Sequence, residues 1–156
     1  MARLHMRDAT RDDLPAIVAM LADDIKGAAR EDASLPLDPG YLAAFAAITA
    51  NPKMRLVVAE FEGRVVGTVQ IAVLPGLSRK GASRGHLEAV RIASDLRGQG
   101  LGAELVHWAV EQCRAAGCGM VQLTTQRDRI DAHRFYERLG WERSHIGYKL
   151  HLRGIA

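Results

Sequence analysis

Two runs rich in β-branched residues, MRLVVAEF (54–61) and RVVGTVQIAVL (64–74), stand only two residues apart, with Glu62 and Gly63 between them. A two-residue connection between strands admits an antiparallel hairpin and little else, so the middle of this chain is committed to a sheet. The second half imposes another geometry. HLEAVRI (86–92) reads as a strand, residues 98–116 as a helix with Leu101, Leu105, Trp108, Ala109 and Cys113 along one stripe, and MVQLTT (120–125) as another strand. A strand-helix-strand connection of that length favours a parallel crossover. The expected class is therefore α+β, a mixed and mostly antiparallel sheet with helices packed on it.

The remaining elements are read from local signals. Leu4 and Met6 alternate with polar neighbours as a first strand, and Thr10 with Asp13 forms a capping-box pattern ahead of Leu14, Ile17, Val18 and Leu21. Asp38 and Pro39 start a helix through Tyr41, Leu42, Phe45 and Ile48 that ends near Asn51-Pro52. Gly27 to Leu37 reads as a loop or broken helix. Asp131 to Leu139 is expected to be helical with Gly140 as its stop, and HIGYKLHL (145–152), which alternates apolar and polar residues, to be a closing strand. No repeat or linker divides the chain, so a single domain over 1–156 is expected.

Composition narrows the function. With 48% hydrophobic and 25% charged residues the chain has the make-up of a globular protein rather than a disordered or fibrous one. Its charge is uneven: residues 1–78 hold 8 basic and 10 acidic groups, and residues 79–156 hold 13 and 8. The second half should prefer an anion. Only 5% of residues are aromatic and no basic run forms a tail, so a small phosphorylated ligand is expected rather than nucleic acid. The N-terminal MARLHMRDAT lacks an apolar leader core, and no uncharged run reaches the roughly 18 apolar residues of a membrane span. Cys113 and Cys118 suit neither a metal cluster nor a disulfide framework and read as reduced thiols. No metal site is expected, and the expected location is the cytoplasm.

The sharpest motif is Arg97-Gly98-Gln99-Gly100-Leu101-Gly102, between the strand at 86–92 and its helix. Alternate glycines let the backbone turn tightly and bring N–H groups close to a ligand, while the helix N-terminus adds positive potential and Arg97 a full charge. A phosphate or pyrophosphate is the natural guest. Gly98, Gly100 and Ala103 also satisfy the dinucleotide fingerprint, yet residues 118–125 contain no acidic ribose anchor. No Gly-Lys-Ser/Thr is present after the motif either, which excludes a P-loop.

The stretch HLEAVRIASDLRGQGLGAELVHWAVEQCRAAGC, followed by LTTQRDRIDAHRFYERLGW, resembles the acetyl-CoA-binding half of the GNAT acetyltransferase superfamily. Arg97, Gly100 and Gly102 fill its Arg/Gln-x-x-Gly-x-Gly/Ala signature, and LTTQRDRIDAHRFYERLGWERSHIGYKLHL with NPKMRLVVAEFEGRVVG is similar to aminoalkylphosphonate N-acetyltransferases within it. The resemblance implies a V-shaped split between the strands at 86–92 and 120–125 that receives the pantetheine arm of acetyl-CoA. Val90, Arg91 and Ile92 would line that arm, and Arg97, Gly98, Gln99, Gly100, Leu101 and Gly102 would hold the pyrophosphate. Arg129 stands where many relatives carry an Asn near the pantetheine.

The implied reaction moves acetyl from the thioester directly to a primary amine of a small molecule, with a basic loop (Arg79, Lys80, Arg84) suited to an anionic one. Glu88, or His86 on the same strand face if alternation is unbroken, is the candidate base. Tyr136 is the candidate acid toward the departing sulfur, although Ala132, Phe135, Tyr136 and Leu139 also form an apolar helix face. Homodimers are common among similar proteins. The alternatives are a protein lysine or N-terminal acetyltransferase and, from another class, a non-catalytic acyl-CoA-binding domain.

Overall fold

The computed structural model describes residues 2–153. Five strands form one sheet in the order β1-β2-β3-β4-β5: β1 His5–Asp8, β2 Met54–Phe61, β3 Arg64–Leu74, β4 Arg84–Ile92 and β5 Met120–Gln122. The first four are antiparallel to their neighbours, and β5 runs parallel to β4. Glu62 and Gly63 both adopt left-handed φ (50° and 77°), the twist that closes a two-residue hairpin between β2 and β3. The helices are α1 Leu14–Ala22, a single turn α2 Ile25–Ala28, α3 Pro39–Ala50, a short turn α4 Ser78–Gly81, α5 Leu101–Ala115 and α6 Ile130–Arg138. The chain falls into two compact units, the first running to Gln122 and the second beginning at Leu123.

Within the first unit both faces of the sheet are covered. Leu14 and Ile17 of α1 pack on Val58 of β2, with Leu42 and Phe45 of α3 against the same cluster. On the opposite face α5 buries Leu101, Leu105, Val106, Ala109 and Cys113. Its approach to β4 is limited by atoms: a Cβ added to Gly85 would lie 2.4 Å from Cys113 Sγ. Gly85 is thus a contact residue, there to let helix and strand meet. Burial and the neighbouring Cys118 push the Cys113 thiol up to about 11, which keeps it neutral and inert.

The caps are placed as expected. Thr10 N–H donates to Asp13 Oδ2 at 2.7 Å at the head of a 3₁₀ turn (Arg11–Asp13) that leads into α1, and Gly40 N–H donates to Asp38 Oδ1 at 2.7 Å at the head of α3. Asp13 also takes both Arg7 terminal nitrogens, at 2.7 and 3.0 Å, tying β1 to α1.

Three expectations need correction. The helix after the glycine motif starts at Leu101 and not Gly98, because Gly98 and Gly100 take φ of 76° and 82°, outside the right-handed helix. The strand at 120–125 is regular only over Met120–Gln122, since its ladder with β4 consists of Arg84↔Met120, Gly85↔Val121 and His86↔Gln122 and then stops. Residues 145–152 form no strand at all. Alternation supplies a face, but a strand also requires a neighbour for its N–H and C=O groups, and none is present among the described residues.

The second unit is organised around α6. Phe135 and Tyr136 meet edge to face at 5.0 Å and Tyr136 and Trp141 at 5.6 Å, while Gly140 N–H closes the helix end on the Glu137 carbonyl.

The Asp13 carboxyl is held below its ordinary value, first by the hydrogen bonds from Arg7 and then by those from Thr10. A depressed folded-state value adds stability above the unfolded carboxylate range near ~3.9, and this is lost as pH falls through the folded value. Asp13→Ala should therefore cost about 1.5–3 kcal/mol at pH 7, the range for hydrogen bonds to charged groups. Urea unfolding between pH 5 and pH 2 should show a shallower loss of stability in the variant than in the parent.

Candidate active site

The site is built on the second half of β4. Register along the β3–β4 ladder runs Ile71↔Leu87 and Gln70↔Glu88, then jumps to Thr68↔Arg91 and Gly67↔Ile92. The extra residue is a bulge, and Ala89 within it holds φ at 54°, in the left-handed region that costs an L-residue roughly 1–2 kcal/mol. The bulge changes which side chains share a face. Partners across a ladder point the same way, so His86, Glu88 and Arg91 lie on the side of Ala72, Gln70 and Thr68, the face packed by α1. Val90 and Ile92, which unbroken alternation would put with Glu88, go to the α5 side.

Glu88 is exposed and His86 mostly enclosed. Their nearest polar atoms, His86 Nε2 and Glu88 Oε1, are 3.9 Å apart, close enough to share charge and too far for a direct hydrogen bond. The other ring nitrogen, His86 Nδ1, is buried and has no hydrogen-bond partner among the described residues. A buried orphan of this kind costs about 1–3 kcal/mol, and such groups occur where function asks for them. Both residues stand at the point where β4 parts from β5, because His86 makes the last rung of that ladder.

From Ile92 the chain passes through a 3₁₀ turn (Ser94–Leu96) into the glycine motif. No side chain caps the start of α5. The N–H groups of Leu101, Gly102 and Ala103 belong to its first turn, where an α-helix offers no internal acceptor. Such a group of donors, with the helix dipole behind it, suits a pyrophosphate. Arg97 is partly occupied: Nε donates to the Ile92 carbonyl at 3.2 Å, and a terminal nitrogen lies 3.8 Å from Asp23 Oδ2. It braces the strand end as well as carrying charge.

Sequence reading missed the brace on the other side of this loop. Glu104, in the first turn of α5, accepts the backbone N–H groups of Arg3 and Leu4, each at 2.7 Å, and the Arg3 guanidinium donates to the Gln99 carbonyl. The start of β1 thus clips onto the glycine motif. A pair about 100 residues apart leaves no local pattern to read.

Of the residues expected to attract an anionic acceptor, Arg79 and Lys80 are exposed and, with φ of 53° and 59°, make α4 a left-handed turn, while Arg84 begins β4 half-buried. In the second unit, Arg129 precedes α6 and its Nε donates to Gln126 Oε1 at 3.2 Å, and Tyr136 is half-buried between Phe135 and Trp141. Two open grooves of about 440 and 310 Å³ lie along α3, lined by Arg11, Leu42, Phe45, Pro15 and Leu35, and neither includes β4 or the glycine motif. Among the described residues no three His, Cys, Asp or Glu side chains gather as a metal site, and no helix is long and apolar enough to cross a membrane.

If Glu104 holds the glycine motif in shape, Glu104→Ala should speed amide exchange at Gln99 to Ala103 by about 3- to 10-fold, the equivalent of one hydrogen bond. Hydrogen-exchange mass spectrometry checks this, with β2 and β3 as unchanged internal controls.

Residues 19–141 match the family model described as acetyltransferase (GNAT) family. An aminoalkylphosphonate N-acetyltransferase of Salmonella typhimurium is 29% identical over 92% of this chain and 88% of that protein. A glucosamine 6-phosphate N-acetyltransferase of Trypanosoma brucei brucei is 36% identical over 51% of this chain, which spans only about half (52%) of its length. The crystal structure of a protein from Bacillus halodurans C-125, described as a transcriptional regulator, superposes with a TM-score of 0.92 at 43% identity, covering 96% of this chain and 99% of that one. The chain belongs to the acetyltransferase (GNAT) family and is an acyl-CoA-dependent N-acetyltransferase.

Proposed function

We propose that this protein, acting as one domain over 1–156, transfers acetyl from acetyl-CoA directly to the primary amine of a small molecule that carries an anionic group. The observation that carries the reading is the placement of His86 and Glu88 on one sheet face, 3.9 Å apart, where β4 leaves β5 and a few residues before the glycine motif. The uncapped start of α5 supplies donors for the pyrophosphate of CoA, and the open edge of β4 around Val90 and Ile92 supplies backbone groups for the pantetheine arm. The anionic acceptor is supported by the exposed Arg79 and Lys80, and by two relatives whose named substrates are amines bearing a phosphonate or a phosphate.

In the reaction the ammonium of the acceptor first loses a proton, to Glu88 directly or through His86. The free amine attacks the thioester carbonyl, a C–N bond forms, and the C–S bond breaks as the tetrahedral intermediate collapses. The thiolate leaves with its electron pair and takes a proton from the Tyr136 hydroxyl; the second proton of the amine nitrogen passes through water to restore that hydroxyl, and the base releases the first proton to solvent. A base matters most when the amine is mostly protonated.

Glu88→Gln should therefore lower kcat/KM by about 10²- to 10⁴-fold at neutral pH and by less as pH rises toward the pKa of the amine. Tyr136→Phe should lower kcat across the whole pH range with little change in acetyl-CoA affinity. Steady-state rates of thiol release measure both, and losses below about threefold in both variants would reject these roles.

A panel of amines assayed at low salt should favour those bearing phosphonate, phosphate or carboxylate over neutral amines of equal size, and Arg79→Ala with Lys80→Ala should remove that preference. Gly100→Val should weaken acetyl-CoA binding in calorimetry. It strains a φ of 82° and sets a side chain against the Arg3 guanidinium, 3.3 Å from the added Cβ.

A further inference from the structure

The end of α5 brings the two cysteines together. Gly117, at a φ of 83°, donates its N–H to the Arg114 carbonyl at 3.0 Å, and Cys118 N–H donates to the Cys113 carbonyl at 3.0 Å. These are the paired bonds of a Schellman stop, in which the side chains at the two ends of the longer loop commonly touch. Here both ends are free cysteines. Beside burial, the charge and side-chain hydrogen bond of Cys118 are what hold the Cys113 thiol up, so the two sulfurs are neighbours. Cys113 is fully buried, with its Sγ against Gly85 of β4, and Cys118 is half-buried.

The backbone already meets what a disulfide requires. Standard bond lengths allow the 3.0 Å N···O contact at most about 7 Å between the two Cα atoms, and the bends at nitrogen and carbonyl carbon shorten this into the roughly 4.4–6.8 Å that a disulfide spans. The two thiols do not make a metal site, since further ligands would be needed and no group of three His, Cys, Asp or Glu occurs among the described residues. Burial divides the roles. Cys113, fully enclosed, meets no reagent from solution, whereas Cys118 can take one up and hold it beside a second sulfur.

We propose that Cys113 and Cys118 form a redox-modification site, joined by a reversible intramolecular disulfide when a low-molecular-weight disulfide such as oxidised glutathione is in excess. Cys118 Sγ, as the thiolate, attacks one sulfur of that small disulfide. Its S–S bond breaks, and the first small thiolate leaves and takes up the proton that Cys118 gave up. Cys113 Sγ then attacks Cys118 Sγ in the mixed disulfide, and the new S–S bond forms as the second small thiolate leaves with the Cys113 proton. The two cysteines lose two electrons, and the small disulfide is reduced to two thiols. The bond ties the last turn of α5 to the residue that follows its stop. It does not depend on the acceptor or on the assignment of Glu88 and Tyr136.

The full chain, reduced and freed of reductant, should lose about 2 Da on equilibration with oxidised glutathione and regain it in reduced glutathione, as read by intact mass spectrometry. Peptide mapping after acid quench should place the bond between residues 113 and 118. Titrated against mixtures of reduced and oxidised glutathione, the folded protein should give a disulfide equilibrium constant at least about tenfold above that of the chain in guanidinium, where nothing holds the sulfurs together. Cys118→Ser, at a half-buried position, should keep its fold by circular dichroism and take up no glutathione, because the remaining thiol is enclosed. A wild-type protein that keeps both thiols, stops at the mixed disulfide or links two chains instead overturns the inference. So does a folded constant no higher than the unfolded one, or uptake of glutathione by folded Cys118→Ser.

Discussion

The extra residue in β4 sets the terms for the rest of the first unit. Without the left-handed turn at Ala89, Arg91 would face α5 and Ile92 would face α1, opposite to what is seen. The bulge lets one strand serve two purposes: its first half pairs on both edges, with β3 and β5, and its second half keeps only β3. A backbone that strains at Ala89 persists because the rungs on either side hold it, as functional strain generally does. The polar trio of His86, Glu88 and Arg91 and the apolar pair of Val90 and Ile92 are consequences of that one insertion.

The glycine motif depends on the same strand for its position and on two braces for its shape. Arg97 ties it back to Ile92, and Glu104 with Arg3 ties it to the start of β1. The donors left over for a ligand at the uncapped start of α5 are main-chain groups, while charged side chains do the holding. A main-chain cradle keeps its geometry through changes of side chain and needs no reorganisation when the ligand arrives.

Much of this was legible in the sequence. Glu62-Gly63 set the hairpin, Asp38-Pro39 and Thr10 with Asp13 set helix starts, and the glycine spacing marked the tight turn ahead of α5, because each signal lies within a few residues of what it determines. The bulge was not legible, since alanine at 89 carries no preference for positive φ and the cause lies in the register with β3. The short β5 and the strandless 145–152 escaped for a related reason: a strand exists only with its neighbour, and the neighbour is not written locally. The Glu104 brace, spanning the sequence from residue 3, belongs to the same class.

Gly85 and Cys113, where β4 and α5 touch, also act as a stop. The helix cannot move closer to the strand there, and at its other end Glu104 is fastened to Arg3 and Leu4, just ahead of β1. A helix fixed at both ends behaves as a rigid rod, so its first turn sits at a set distance from the strand that carries Glu88. A larger side chain at Gly85 would tilt that rod about its far end and displace the amides proposed to hold the pyrophosphate, roughly three helical turns away, without touching them. On the proposed assignment, affinity for the acyl donor becomes adjustable from the opposite end of the helix, at the contact of Gly85 with Cys113.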